Sequence, residues 1–402
     1  MKKLIPILLA AGVAAPSFAA FYRTNNADTD WSNLALWTTD AEGTIPATSV
    51  PGIGNNVEWF FGDAADGTTT IATGDQGNLK IDRLNIKSAD FVFSGATVNI
   101  GNRVNFGSAS GATPATAENR NTVSVLIDNG SDVKTWMAYF ASQQYSDLDF
   151  RVSGNSSFTI TSNTWNHFQG VYTNDSTAHV TIDKGSSFTT ATSLTTNGTH
   201  GQGARSTAVY DIYGDLTAAA VYTTDSNGTT STINIYGSAN FVSAGTAAAS
   251  KSNSYWNFIM QDVDAAKMTY YDGGVLGDDT IDAIFTAANF KSGNTADSIN
   301  YFTFAIDVKN FSVDGDYDEG ESYAIALLRL TDSESIYPVS SFSIVNSDQM
   351  GSNWILGETP LFWDESTTTL YLNVISQVPE PATYAAIFGA LTLAFAAYRR
   401  RK

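Results

Sequence analysis

One phrase returns through the middle of this chain, and it limits the possible folds more than any other feature. Ile127-Asp128-Asn129-Gly130-Ser131-Asp132-Val133 comes back as Val152-Ser153-Gly154-Asn155-Ser156-Ser157-Phe158 and again as Ile182-Asp183-Lys184-Gly185-Ser186-Ser187-Phe188. Shorter echoes are Ile212-Tyr213-Gly214-Asp215-Leu216 and Ile235-Tyr236-Gly237-Ser238-Ala239-Asn240-Phe241. Successive opening residues are 25, 30, 30 and 23 positions apart. Each unit reads as a short strand, a turn and a second short strand. Apolar and polar residues alternate over 123–127, 158–160, 179–182 and 232–235, the period of a half-buried strand. Gly and Asn supply corners that a Cβ would obstruct. Units of this length cannot bury an apolar face alone, so they stack, and stacking makes a solenoid. Helical repeats are excluded by the β-branched and aromatic content and the density of Gly and Asn.

The repeats therefore predict an all-β chain whose ectodomain is a right-handed parallel β-helix over 61–290. Ile, Val, Phe and Ala are expected inside each coil, and Thr, Ser and Asp outside. An antiparallel β-sandwich is the competing architecture. Beyond 290 the phrase is lost and longer strands appear at 301–308, 322–330, 342–345 and 369–374. They predict a C-terminal antiparallel β-subdomain over 291–377 that closes one end of the solenoid.

The two ends read as addresses. Lys2 and Lys3 precede a short apolar run, and Ser17-Phe18-Ala19 puts small residues where a signal peptidase reads them. Residues 1–19 are thus a secretory signal peptide with cleavage after Ala19. At the other end, Val378-Pro379-Glu380-Pro381 is followed by an uncharged, mostly apolar stretch over 382–398 and then by Arg399-Arg400-Arg401-Lys402. As a helix the stretch spans about 26 Å, near the lower limit for crossing a bilayer. The cations beyond it would hold that end in the cytoplasm.

This three-part tail over 378–402 resembles the PEP-CTERM sorting signal of Gram-negative bacteria. The resemblance implies recognition by an exosortase, a membrane processing enzyme, with cleavage near Pro379-Glu380-Pro381. The helix would be a transient anchor in the inner membrane, and the ectodomain would pass to the cell surface or the extracellular matrix. It also implies association with exopolysaccharide and biofilm.

A second resemblance lies at 20–60. Trp31-Ser32-Asn33 and Trp37, followed by Pro51-Gly52-Ile53-Gly54-Asn55-Asn56-Val57-Glu58-Trp59-Phe60, look like the opening of autotransporter-type passenger β-helices. Asn stands where that pattern has Asp. Physically the segment suits a cap, since bulky rings would cover the open apolar end of the first coil. A sugar-stacking Trp platform is the alternative.

The chain has 21 Lys+Arg against 40 Asp+Glu, a net charge of -19, three His and no Cys. The acidic balance argues against nucleic acid as a partner, and the lack of thiols excludes disulfides and Cys-ligated metal. Six of the cations and one of the anions lie in the two address segments, so residues 20–378 carry about -24. No nucleotide loop, zinc-protease helix or nucleophile elbow occurs. His167, His179 and His200 are not spaced by one repeat, so no convergent site is expected of them. Asp128 and Asp183 belong to the turn phrase and read as turn residues. Asp314-Gly315-Asp316-Tyr317-Asp318 alternates carboxylates as a calcium loop does, but Glu319 and Ile325 stand where that loop needs Gly and Glu. A plain acidic turn is the simpler reading, with Asp314, Asp316 and Asp318 as a weak calcium candidate. The expectation is a non-enzymatic, structural or adhesive surface protein without a cofactor. The alternatives are a polysaccharide lyase or glycoside hydrolase on the same scaffold, and a carbohydrate-binding module with Trp136, Trp165 or Trp256 as its platform.

Overall fold

The computed structural model describes residues 20–23, 33–40, 43–51, 56–59, 68–72, 79–86, 89–107, 116–141, 144–162, 175–196, 205–223, 228–251, 253–278, 280–293, 295–296, 298–332 and 336–377. Among them the chain is all-β, with strands joined by turns and a few short 3-10 segments. The strands form an 18-stranded sheet, a ten-stranded sheet and a two-stranded ribbon. No helix of the described residues is long and apolar enough to cross a membrane. The signal peptide expected over 1–19 and the tail expected over 378–402 lie outside the described residues.

The ten-stranded sheet is built in chain order and entirely from parallel pairs. It runs from Thr68–Ala72 through Ala89–Ser94, Asn121–Asp128, Ser146–Val152, Thr177–Ile182, Thr207–Ile212, Thr230–Tyr236 and Ser254–Ile259 to Phe302–Asp307 and Phe342–Val345. Between successive strands the chain crosses to the larger sheet and returns. Asp132–Tyr139, Ser157–Ile160, Ser187–Thr195 and Asp215–Thr223 are four such crossings, stacked parallel on one another. Parallel sheets fed alternately in this way are consistent with a solenoid of stacked coils. The antiparallel sandwich does not form, because each Gly-containing turn carries the chain to the other sheet instead of back along its neighbour. The repeat seen in sequence is the register of the sheet: Ile127, Val152, Ile182, Ile212 and Ile235 pair in one unbroken row.

Two facing columns fill the interior. From the ten-stranded sheet come Phe91, Val125, Phe150, Val180, Tyr210, Ile233, Trp256 and Phe304; from the larger sheet come Val98, Val133, Phe158, Phe188, Leu216, Phe241, Phe285 and Leu328. Phe158 bridges the columns, with its ring 5.0 Å from that of Phe150 and 5.3 Å from that of Phe188. Full burial of each such side chain contributes about 1.5–3 kcal/mol.

The expectation that Ser and Thr face outward fails at the corners. Ser131, Ser156 and Ser186 of the repeated phrase are buried, as are Ser176, Ser206 and Thr229 at another corner. The Ser131 N–H donates to Ser156 Oγ at 3.0 Å, and the Ser156 N–H to Ser186 Oγ at 3.3 Å. The reason is local. A corner turns backbone N–H groups away from the ladder, and a buried N–H needs a partner. Ser is small enough to supply one inside the coil.

The parallel ladder also runs past residue 290. Tyr255 pairs with Thr303, 48 positions on, and the segment between them holds an excursion containing the hairpin of Met268–Asp272 with Val275–Leu276. Ser322–Leu330 pairs antiparallel with the Met268–Asp272 strand of that hairpin. One edge of the Ser322–Leu330 strand continues the parallel ladder against Phe285–Ala287, and the other takes Thr369–Ser376 antiparallel, with Trp354–Asp364 beyond it. Trp354 is buried against Phe311 and Tyr317, with ring centroids 4.9 and 4.7 Å apart. Towards the N-terminus, Trp37 is fully buried in the same core, whereas Trp31 lies outside the described residues.

Candidate functional site

Alternation that sends Phe150 and Val180 inward sends Asp149, Arg151, His179 and Thr181 outward, and the parallel register repeats this on every coil. One outward row holds Arg151, Thr181, Asp211, Asn234 and Asn257; the row beside it holds Asp149, His179, Val209, Thr232 and Tyr255. Side chains in these rows bond to one another along the coil stack. His179 Nε2 and Asp211 Oδ2 are 2.6 Å apart. The Asn234 amide donates to Asp211 Oδ1 at 2.6 Å, and the Asn257 amide donates to Asn234 Oδ1 at 2.8 Å. On the other side of the imidazole, Asp149 Oδ1 is 4.0 Å from Nδ1.

The electrostatics follow from this geometry. Hydrogen bonding to Asp211 raises the His179 pKa above its ordinary value against the opposing effect of burial, and the charges of Asp211 and Asp149 add to it. Burial pushes the Asp211 carboxyl up, but the bonds from His179 and Asn234 outweigh it and leave the group below its ordinary value. The bond to Asp211 favours the protonated imidazole, so the pair is first of all an ion pair across two coils. What the face offers is a row of carboxylate, amide and hydroxyl groups spaced by the strand separation of about 4.8 Å.

Aromatic and charged groups flank the row. The rings of Tyr213 and Tyr236 stack with centroids 3.7 Å apart and 21° between planes. Burial, with the neighbouring Tyr213 second, pushes the Tyr236 hydroxyl above its ordinary range. Arg120 grips Asp147 with two bonds of 2.6 and 2.7 Å and reaches the Asp175 carbonyl at 2.9 Å. Arg151 pairs with Asp183, and Arg205 with Asp175, each at 2.7 Å. These pairs join successive coils.

The other sequence candidates fall as follows. Asp128 and Asp183 lie at turns: Asp128 Oδ1 accepts from Ser153 Oγ at 3.0 Å, and the Asp183 carbonyl accepts from the Ser186 N–H at 3.0 Å. In the acidic loop, Asp314 pairs with Lys184 and Asp318 accepts from the Tyr270 hydroxyl. Among the described residues no three His, Asp or Glu side chains gather in a metal-binding group. Trp256 is 0% exposed, so it cannot be a sugar platform; its ring packs against Phe241 and Phe285, and its Nε1–H donates to Ser254 Oγ at 3.0 Å. Trp136 is 36% exposed on the larger sheet. His167, His200 and Trp165 lie outside the described residues, as do Ser17, Ala19, Val378–Pro381 and Arg399–Arg401.

Sequence reasoning missed the His179–Asp211–Asn234–Asn257 line of hydrogen bonds and the Tyr213–Tyr236 stack. A signal for both was present. Tyr213 and Tyr236 follow the opening residues of two echoes, and Asp211, Asn234 and Asn257 recur every 23 positions. Compared with protein-family models, curated proteins and solved structures, the chain matches none.

Proposed function

We propose that this chain is an exported, non-catalytic structural or adhesive protein that associates with extracellular polysaccharide. In this reading the ectodomain is a right-handed parallel β-helix, the hand favoured by parallel crossovers, with a cap at 20–60 and a closing subdomain at 291–377. The tail at 378–402 holds it transiently in the inner membrane of a Gram-negative cell. An exosortase-type enzyme then acts near Pro379-Glu380-Pro381 and passes it to the surface or matrix. No cofactor is required.

The observation that carries the reading is the line of side-chain hydrogen bonds from His179 through Asp211 and Asn234 to Asn257, across four coils. A regular line of hydrogen-bonding groups suits a repeating hydroxyl-bearing polymer, where many weak contacts add through multivalency. Co-sedimentation of the protein with polysaccharide from the producing cells tests the adhesive part. Binding should weaken in an Asn234→Ala/Asn257→Ala variant that keeps its melting temperature; absence of co-sedimentation by the parent protein overturns it. Cell fractionation tests the sorting part. A Pro379→Ala/Glu380→Ala/Pro381→Ala variant should stay in the inner membrane, and its normal release would refute the assigned signal.

A further inference from the structure

A pocket of about 310 Å³ lies away from the outward row, between the excursion hairpin and the acidic loop. Its walls include Met268, Thr269, Tyr270, Asp316, Tyr317 and Asp318, and among the described residues no Lys, Arg or His lines it. Tyr270 is 49% exposed. Its ring centroid is 5.1 Å from that of Tyr323, and the Tyr317 ring is backed by Trp354 at 4.7 Å. The wall is also held by hydrogen bonds. The Tyr270 hydroxyl donates to the Asp318 carboxylate, the Asp318 N–H donates to the Tyr323 oxygen at 2.7 Å, and Ser376 Oγ donates to the Asp318 carbonyl at 2.7 Å. Asp318 is thus fixed from three sides. Lys184, beside the loop, is engaged by Asp314.

We propose that this pocket binds one protonated amino-sugar residue of a polysaccharide. Three physical arguments converge on that ligand. The volume sits at the small end of ligand pockets, about 300–1,000 Å³, and so admits a single ring. Tyr270 and Tyr317 offer aromatic surface for the C–H face of a pyranose, and an aromatic face also attracts an ammonium. Asp316 and Asp318, on a chain of net charge -19, draw a cation and repel a uronate. A neutral N-acetylated sugar has the same ring but lacks the charge that pairs with a carboxylate. The biological source of the ligand rests on the polysaccharide reading above; the binding itself does not.

The test is calorimetric titration of the full chain in detergent with a β-1,4-linked glucosamine tetramer, its N-acetylated counterpart and a galacturonate tetramer. Glucosamine should bind roughly tenfold or more tightly than the N-acetylated form, since one charged hydrogen bond is worth that factor, and galacturonate should not bind. Asp316→Asn, at an exposed position, should lower glucosamine affinity by roughly the same factor with an unchanged melting temperature. Tyr270→Phe should retain ring stacking but lose the hydroxyl that orients the Asp318 carboxylate, giving a smaller loss. Equal binding of the charged and acetylated tetramers, or full affinity in Asp316→Asn, overturns the proposal. Co-sedimentation with matrix polysaccharide but no glucosamine binding removes the pocket and leaves the adhesive reading. Glucosamine binding without co-sedimentation does the reverse.

Discussion

His179 and Asp211 are 32 positions apart in the chain and 2.6 Å apart on the sheet. They occupy adjacent coils and adjacent outward rows, so the contact is a diagonal one across the parallel ladder. A proton placed on His179 is shared with a carboxylate that the Asn234 amide already orients.

This pair makes stability depend on pH. His179 has its pKa raised from 6.5 in the fold, so its contribution is complete below that value and is lost as pH rises through the folded pKa. Asp211 is lowered from 3.8, so its contribution is present above that value and is lost as pH falls through the folded pKa. The pair therefore stabilises most between these two ordinary values. Because His179 is half exposed, screening limits the effect to about 0.5–1 kcal/mol. Proton NMR titration of the His179 ring should give a value above 6.5 in the parent and a lower one in Asp211→Asn. An unchanged titration in that variant would contradict the pairing.

Trp256 and Trp136 should respond in opposite ways to truncation. Trp256→Ala removes a ring with no exposed surface from among Phe241, Phe285 and Phe290, and should cost about 3–5 kcal/mol. Trp136→Ala, on the outer face, should cost less than about 1 kcal/mol. Urea denaturation followed by circular dichroism measures both. Comparable losses would place Trp256 outside the core.

Gly154 and Gly130 hold equivalent corners and both have positive φ, 60° and 72°. A Cβ on Gly154 would lie 2.1 Å from Asp128 Oδ1 and 2.7 Å from the Asn129 nitrogen, whereas one on Gly130 meets nothing within 4 Å. Gly130→Ala should cost about 1–2 kcal/mol from the left-handed backbone alone. Gly154→Ala should cost more, and adding Asp128→Ala should recover part of the difference by clearing one clash. A Gly154→Ala protein as stable as Gly130→Ala would show that the coils are not stacked in this register.

The buried Ser ladder gives a local readout. Ser156→Ala removes the shorter of the two acceptors of the Ser131 N–H, leaving only the Asp128 carbonyl at 3.2 Å, and should destabilise by about 0.5–1 kcal/mol. Hydrogen exchange at the Ser131 amide should accelerate before amides in the strand 121–128. Unchanged protection at Ser131 would argue against an inward Ser156.

The repeated phrase determined the all-β class, the coil length around residues 127–241 and the row that joins Ile127 to Ile235. The class follows from local pattern, a period of two along each strand and a Gly or Asn corner where the backbone must turn; the coil length and the row follow from the recurrence of that pattern every 23 to 30 residues. The acidic alternation at 314–318 was equally visible, but its partners were not. Lys184 and Tyr270 reach it from 130 and 48 positions away.

Only the tertiary structure decided which polar groups meet. Coil lengths in the ten-stranded sheet vary, from 22 positions (Thr68 to Asp90) to 48 (Tyr255 to Thr303), so no single period brings Asp211 under His179 or folds the excursion hairpin against the acidic loop. It also decided that Ser131, Ser156 and Ser186 turn inward. Their hydroxyls go where the corner leaves a backbone N–H out of reach of water, and that need arises only when the next coil closes over it.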